Sequence, residues 1–122
     1  MDIPLQEIAG PYLAEGATPQ MTEIEWTAVD DTESHTFPIA SSAGTLLLLT
    51  STQTGTSIQD NVTIHSSPNK FGREADIEEL TVMPGEVTAR IFKRHGWENF
   101  PGSGVVEFEV STDAVGVAAI RL

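Results

Sequence analysis

From Thr45 onward the chain reads as short apolar stretches broken by turn signals. Asn61-Val62-Thr63-Ile64-His65 alternates, which turns Val62 and Ile64 to one side. Val106, Phe108 and Val110 alternate with Glu107 and Glu109. Glu86 to Arg94 alternates as well, with Val87, Ala89 and Ile91 on one side and Thr88, Arg90 and Phe92 on the other. Earlier, Glu23 to Ala28 puts Ile24, Trp26 and Ala28 on a common face. His35 to Ala40 makes a short strand around Phe37, and Pro38 places it at an edge or an end. Thr45 to Thr50 departs from alternation. Leu46-Leu47-Leu48-Leu49 is apolar on both faces, so this strand is expected to be covered on its outer side too.

The breaks carry turn chemistry: Ser41-Ser42-Ala43-Gly44, Pro84-Gly85, Ser111-Thr112-Asp113, and the longer Ser66 to Arg73 and His95 to Gly104. About eight strands at turn spacings of roughly 8–14 residues predict an all-β antiparallel β-sandwich, jelly-roll-like. Arg73 to Leu80 is the one stretch whose Glu and Ala content favours a helical turn. The expected core comprises Trp26, Leu46, Leu48, Val62, Ile64, Ile91, Phe108, Val110 and Ile120.

Residues 1–21 differ. Pro4, Gly10, Pro11, Gly16 and Pro19 punctuate them and prevent a long helix, leaving room for one turn at Leu5–Ala9. Isolated apolar residues (Ile3, Leu5, Ile8, Tyr12, Leu13) lie between. The expectation is an extended N-terminal arm over 1–21 that docks on a neighbouring subunit, attached to a sandwich domain over 22–122. A frayed terminus is the plainer alternative.

At 122 residues the chain fits one domain and can bury a core without staples. It has no cysteine, which excludes disulfides and thiolate chemistry. No stretch of about 20 apolar residues is present. Met1-Asp2-Ile3-Pro4 has an acid where a signal peptide needs a base. The protein is therefore expected to stay where it is made unless it leaves within a larger assembly. Net charge is −12, and residues 1–69 contain nine acids and no Lys or Arg. Such a surface disfavours nucleic acid and anionic membranes as partners.

Candidate chemistry is sparse. His35, His65 and His95 lie about 30 residues apart, with no second ligand at a metal-binding offset. Asp30-Asp31-Thr32-Glu33 has oxygen ligands but not the order of a calcium loop. The Glu107/Glu109 and Glu23/Glu25 pairs follow from strand alternation, although paired carboxylates can hydrolyse glycosides. There is no G-x-S-x-G, and Gly102-Ser103-Gly104 lacks the helix and lysine of a phosphate cradle. Asn61-Val62-Thr63 matches a glycosylation sequon, which is silent without secretion. No catalytic residue, metal or cofactor is assigned. Arg73, with Asp76 as a nearby carboxylate, is a candidate loop clamp or partner contact. Trp97 and Phe100 are expected to close one end of the core or anchor a subunit.

One ordered series of motifs adds to this. Leu46–Leu49 is followed by Val62-Thr63-Ile64, then Phe71-Gly72-Arg73 with Asp76-Ile77. Pro84-Gly85-Glu86, Gly96-Trp97 and Gly104-Val105-Val106 come next, and Val117-Ala118-Ala119-Ile120-Arg121-Leu122 closes the series. Over about residues 24–122 the chain resembles small virion proteins from the head-gene region of tailed bacteriophages. The resemblance implies a compact β-sandwich that decorates or cements the capsid. It implies the major capsid protein and other copies of the chain as partners, with a homotrimer as one option. It also implies residence in the virion after synthesis in the host cytoplasm. A neck, head-completion or tail role is the nearest alternative, and a ligand-binding sandwich a more distant one. The interface expected on this view comprises Ile3, Leu5, Ile8, Tyr12, Leu13, Arg73, Trp97 and Phe100.

Overall fold

A computed structural model describes residues 1–8, 24–40, 42–52, 60–65, 77–94, 97–98 and 103–122, with backbone alone for 77–79. Among them the chain forms nine strands: β1 (Leu5–Glu7), β2 (Thr27–Ala28), β3 (His35–Pro38), β4 (Thr45–Ser51), β5 (Asp60–Ile64), β6 (Ile77–Val82), β7 (Val87–Phe92), β8 (Val105–Val110) and β9 (Val115–Arg121). One sheet runs β1-β9-β4-β7, with β2 also paired to β9. The other runs β3-β8-β5-β6. All pairings are antiparallel except β1 with β9, which is parallel. The segment with helical composition is thus strand from Ile77 onward.

The two sheets share one core. Phe37 and Phe108 from the four-stranded sheet meet Phe92 from the five-stranded sheet, with Phe37 and Phe92 ring centroids 5.5 Å apart in edge contact. Leu47, Leu49, Val115, Val117 and Ala119 face them from β4 and β9. Period-2 alternation decides this membership. In β4 the odd positions Leu47 and Leu49 enter the shared core, while Leu46 and Leu48 turn outward. The outer face is nevertheless covered there, as a doubly apolar strand requires. Leu48, Ala118 and Ile120 form a second cluster, closed by Ile24 and Leu46.

Two expected core residues lie elsewhere. Trp26 is 40% exposed and Ile91 55% exposed. Their face assignments hold, but that face is the outer one. In β7 the shared core takes Phe92, the large residue of the opposite parity. Trp26 lies across Gly116 on the outside of β9.

The expected arm is also corrected over its first residues. Ile3 is 1% exposed and belongs to the shared core, and Leu5 packs against it. Ile3 N–H donates to Thr36 C=O (2.7 Å), and Thr36 N–H donates to Met1 C=O (2.9 Å), so the chain start lines the edge of β3. Leu5–Glu7 then pairs with Ala119–Arg121 of β9. Neither a free arm nor a helical turn describes 1–8. Residues 9–21 of the expected arm lie outside the described residues.

Gly44 sits at φ +101°, where a Cβ would stand 2.4 Å from the Phe92 carbonyl oxygen. Only glycine lets the turn into β4 run this close to the end of β7.

Candidate functional site

Among the described residues two polar clusters and one apolar face stand out. The first cluster is buried. Asp60 opens β5 with the same parity as Val62 and Ile64, so it points inward and is fully buried. Ser51 Oγ donates to its Oδ2 and Thr112 Oγ1 to its Oδ1, both at 2.7 Å. Asp60 thereby ties the end of β4 and the β8–β9 turn to β5. Its alternating position was the available signal, and sequence reasoning passed over it. His35 is buried by the same parity rule, beside Phe37. Its Nε2–H donates to the Asp30 carbonyl at 2.8 Å, its ring sits 5.5 Å from Phe108, and its Nδ1 has no hydrogen-bond partner among the described residues. Both residues are enclosed by core, so neither is offered to a ligand.

The second cluster is an open acidic hollow of about 300 Å³, lined by Asp31, Thr32, Glu33, Ser34, Glu109 and Val110. Nearby Asp30 accepts bonds from Thr32 Oγ1 (3.0 Å) and Thr32 N–H (3.1 Å). The Thr32 hydroxyl first, then its amide, hold the Asp30 carboxyl below its ordinary range. The hollow's carboxylates have neighbours of their own. The Met1 ammonium lies 3.7 Å from Glu33, and His65 Nε2 lies 3.5 Å from Glu109. Among the described residues no three His, Asp or Glu side chains converge as a metal site would need.

The apolar face is the outside of the five-stranded sheet. The ladders place Val87 beside Thr50 and Thr50 beside Gly116. The next row is Ala89, Leu48 and Ala118, and the third is Ile91, Leu46 and Ile120. None of these outward positions carries a charge, on a chain of net charge −12. The β9 part is buried under Ile24. The β7 part is open: Val87 is 57% exposed, Ile91 55%, and Ala89 is exposed between them. Arg90, of the opposite parity, instead lies over the Phe92 and Trp97 rings, at 5.7 and 5.9 Å from their centroids.

Of the expected interface residues, Ile3, Leu5, Ile8 and Trp97 are among the described residues. Ile3 is core and Leu5 is half-buried against it, whereas Ile8 is exposed. Trp97 is half-buried, edge-on to Phe92 at 5.1 Å, and so closes the end of the shared core. Tyr12, Leu13, Arg73 and Phe100 lie outside the described residues. Comparisons with protein-family models, with curated proteins and with solved structures found no match to this chain.

Proposed function

We propose that this chain is a virion structural protein that decorates or cements the capsid shell of a tailed bacteriophage, bound to the major capsid protein and to other copies of itself. The observation that carries the docking half of this reading is the uncharged outer face of the β4, β7 and β9 strands, open along β7. A contiguous apolar strip on an otherwise charged molecule marks a surface that another macromolecule covers. The ordered motifs from Leu46 to Leu122 supply the capsid half. In this role the chain needs no catalytic step and no cofactor, and its acidity keeps it off packaged nucleic acid.

The strand order supports a finer reading of the fold, a jelly roll with β1 added. Taken from β2 onward, the sheets run β2-β9-β4-β7 and β3-β8-β5-β6. Two interleaved Greek keys produce this order when one long hairpin folds over itself. Jelly rolls occur in viral capsid proteins, and also in lectins and cupins. The topology therefore fits the assembly role without selecting it.

The test uses particles assembled without this chain. Incubated with purified protein and pelleted, they should carry it down, and a cryo-electron map should place it at equivalent positions over the shell exterior. Density confined to the tail-bearing vertex would replace decoration with a neck role. No uptake would overturn the proposal.

A further inference from the structure

A two-sheet fold has four edges, and this chain treats them unequally. On one side earlier segments of the chain protect both. Met1–Ile3 lines β3, and Leu5–Glu7 with Thr27–Ala28 lines β9. On the other side β6 and β7 end their sheets. The β5–β6 ladder is irregular, with a register shift between Val62 and Ile64. Such irregularity discourages a further strand. β7 has no such irregularity, and its one charged residue, Arg90, lies over the Phe92 and Trp97 rings. It runs six residues without proline and pairs with β4 in unbroken register from Val87 to Phe92. Among the described residues nothing pairs with its other side. Alternate residues of β7 therefore turn N–H and C=O groups outward, beside the exposed side chains of Val87, Ala89 and Ile91.

We propose that β7 is a self-association edge: a second copy of the chain adds its own β7 antiparallel across a two-fold axis, with Ala89 opposite Ala89. Three features select this arrangement. First, an axis normal to the sheet keeps outward residues outward, so Val87, Ala89 and Ile91 can meet only one another. Ala89 in the middle then sets Val87 opposite Ile91 at both ends, and the two strips become one. Second, shifting the centre to position 90 sets Arg90 against Arg90, a like-charge pair across strands. Third, Glu86 precedes the strand while Lys93 and Arg94 follow it. Antiparallel pairing brings the acid of each copy to the bases of the other, whereas parallel pairing aligns like charges. The patch is on the order of a few hundred Å², below the roughly 1,200 Å² at which stable interfaces begin. The dimer is accordingly weak in dilute solution and fills where copies are concentrated side by side. This inference deepens the docking half of the proposed function and stands whether or not the shell is the destination.

The test exploits the absence of cysteine from the chain. Opposed residues in an antiparallel pair have Cα atoms about 4.5–5.5 Å apart, within disulfide reach. Sheets stacked face to face stand about 10 Å apart, beyond it. Mild oxidation of full-length Ala89→Cys should yield a disulfide dimer, while Glu107→Cys on the other sheet stays monomeric. In sedimentation equilibrium the natural chain should shift from monomer to dimer with concentration. Val87→Lys and Ile91→Lys should each weaken that dimer about tenfold or more at unchanged thermal midpoint. A chain that stays monomeric at millimolar concentration overturns the proposal. So does a dimer indifferent to Val87→Lys and Ile91→Lys, or one in which Ala89→Cys fails to cross-link.

Discussion

Side-chain parity sets what each residue does in this chain, and parity alone does not say which face is inside. Phe108 and Trp26 make the contrast. Both occupy the apolar phase of an alternating stretch of sequence, yet Phe108 is fully buried between Phe37 and His35, and Trp26 is 40% exposed on the outside of β9. Phe108→Ala should therefore cost about 3–5 kcal/mol in equilibrium unfolding. Trp26→Ala should cost well below that, about 1 kcal/mol. Equal losses would mean that the outer cluster is as closely packed as the shared core. The Asp30 carboxyl offers a second residue-scale check. Thr32 holds it below its ordinary range, so it favours the folded chain at every pH above the unfolded group's titration. That contribution fades as pH falls through the lowered value. Asp30→Asn should therefore be less stable than the natural chain near neutrality, and the gap should close toward about pH 2. Urea unfolding at several pH values reads this directly, and a gap that widens in acid would refute it.

Among the elements, β4, β5, β8 and β9 are legible from the sequence because their apolar positions either alternate cleanly or run unbroken. The doubly apolar β4 also announces its outer cluster, in which Leu48 joins Ala118 and Ile120 and Ile24 packs against them. The side assignment of β7 is not legible. Val87, Ala89 and Ile91 outnumber Phe92 on a count of apolar residues, but one phenylalanine fills the space beside Phe37 and Trp97. Residues 1–8 are illegible for a different reason. Its proline spacing argues against helix and says nothing against a three-residue strand, and parallel pairing with the distant Ala119–Arg121 leaves no local trace. Ile3 carries the consequence. As a core residue beside the β3 edge, Ile3→Ala should lose about 2–4 kcal/mol of stability in the isolated chain. A terminus that docks only on a neighbour would show no loss in dilute protein. Denaturant titration at micromolar concentration separates the two.

For the whole molecule the governing quantity is uncompensated negative charge. Lys and Arg are absent from residues 1–69. Among the described residues the ion pairs of Arg and of the Met1 ammonium are surface contacts, Arg121 to Glu7 at 3.3 Å and Met1 to Glu33 at 3.7 Å. Pairs so exposed contribute little. The charge is also polarised along the strands. Asp30, Asp31, Glu33, Glu86 and Asp113 lie beyond the row that holds Thr50, Val87 and Gly116. Lys93, Arg94 and Arg121 lie at the opposite end, by the row of Thr45 and Phe92. At 0.01 M salt the screening length is about 30 Å, longer than the roughly 14 Å radius of gyration of a chain this size, so the acids repel across the fold. At 0.15 M it is about 8 Å, and most of that repulsion is gone. The thermal midpoint followed by circular dichroism should consequently rise as sodium chloride increases from 0.01 to 0.15 M. If attractive pairs governed instead, the same salt would screen them and the midpoint would fall. A rise also bears on assembly, because the repulsion that loosens one copy keeps two copies apart. Self-association along β7 should then need the ionic strength at which the fold itself is firmest.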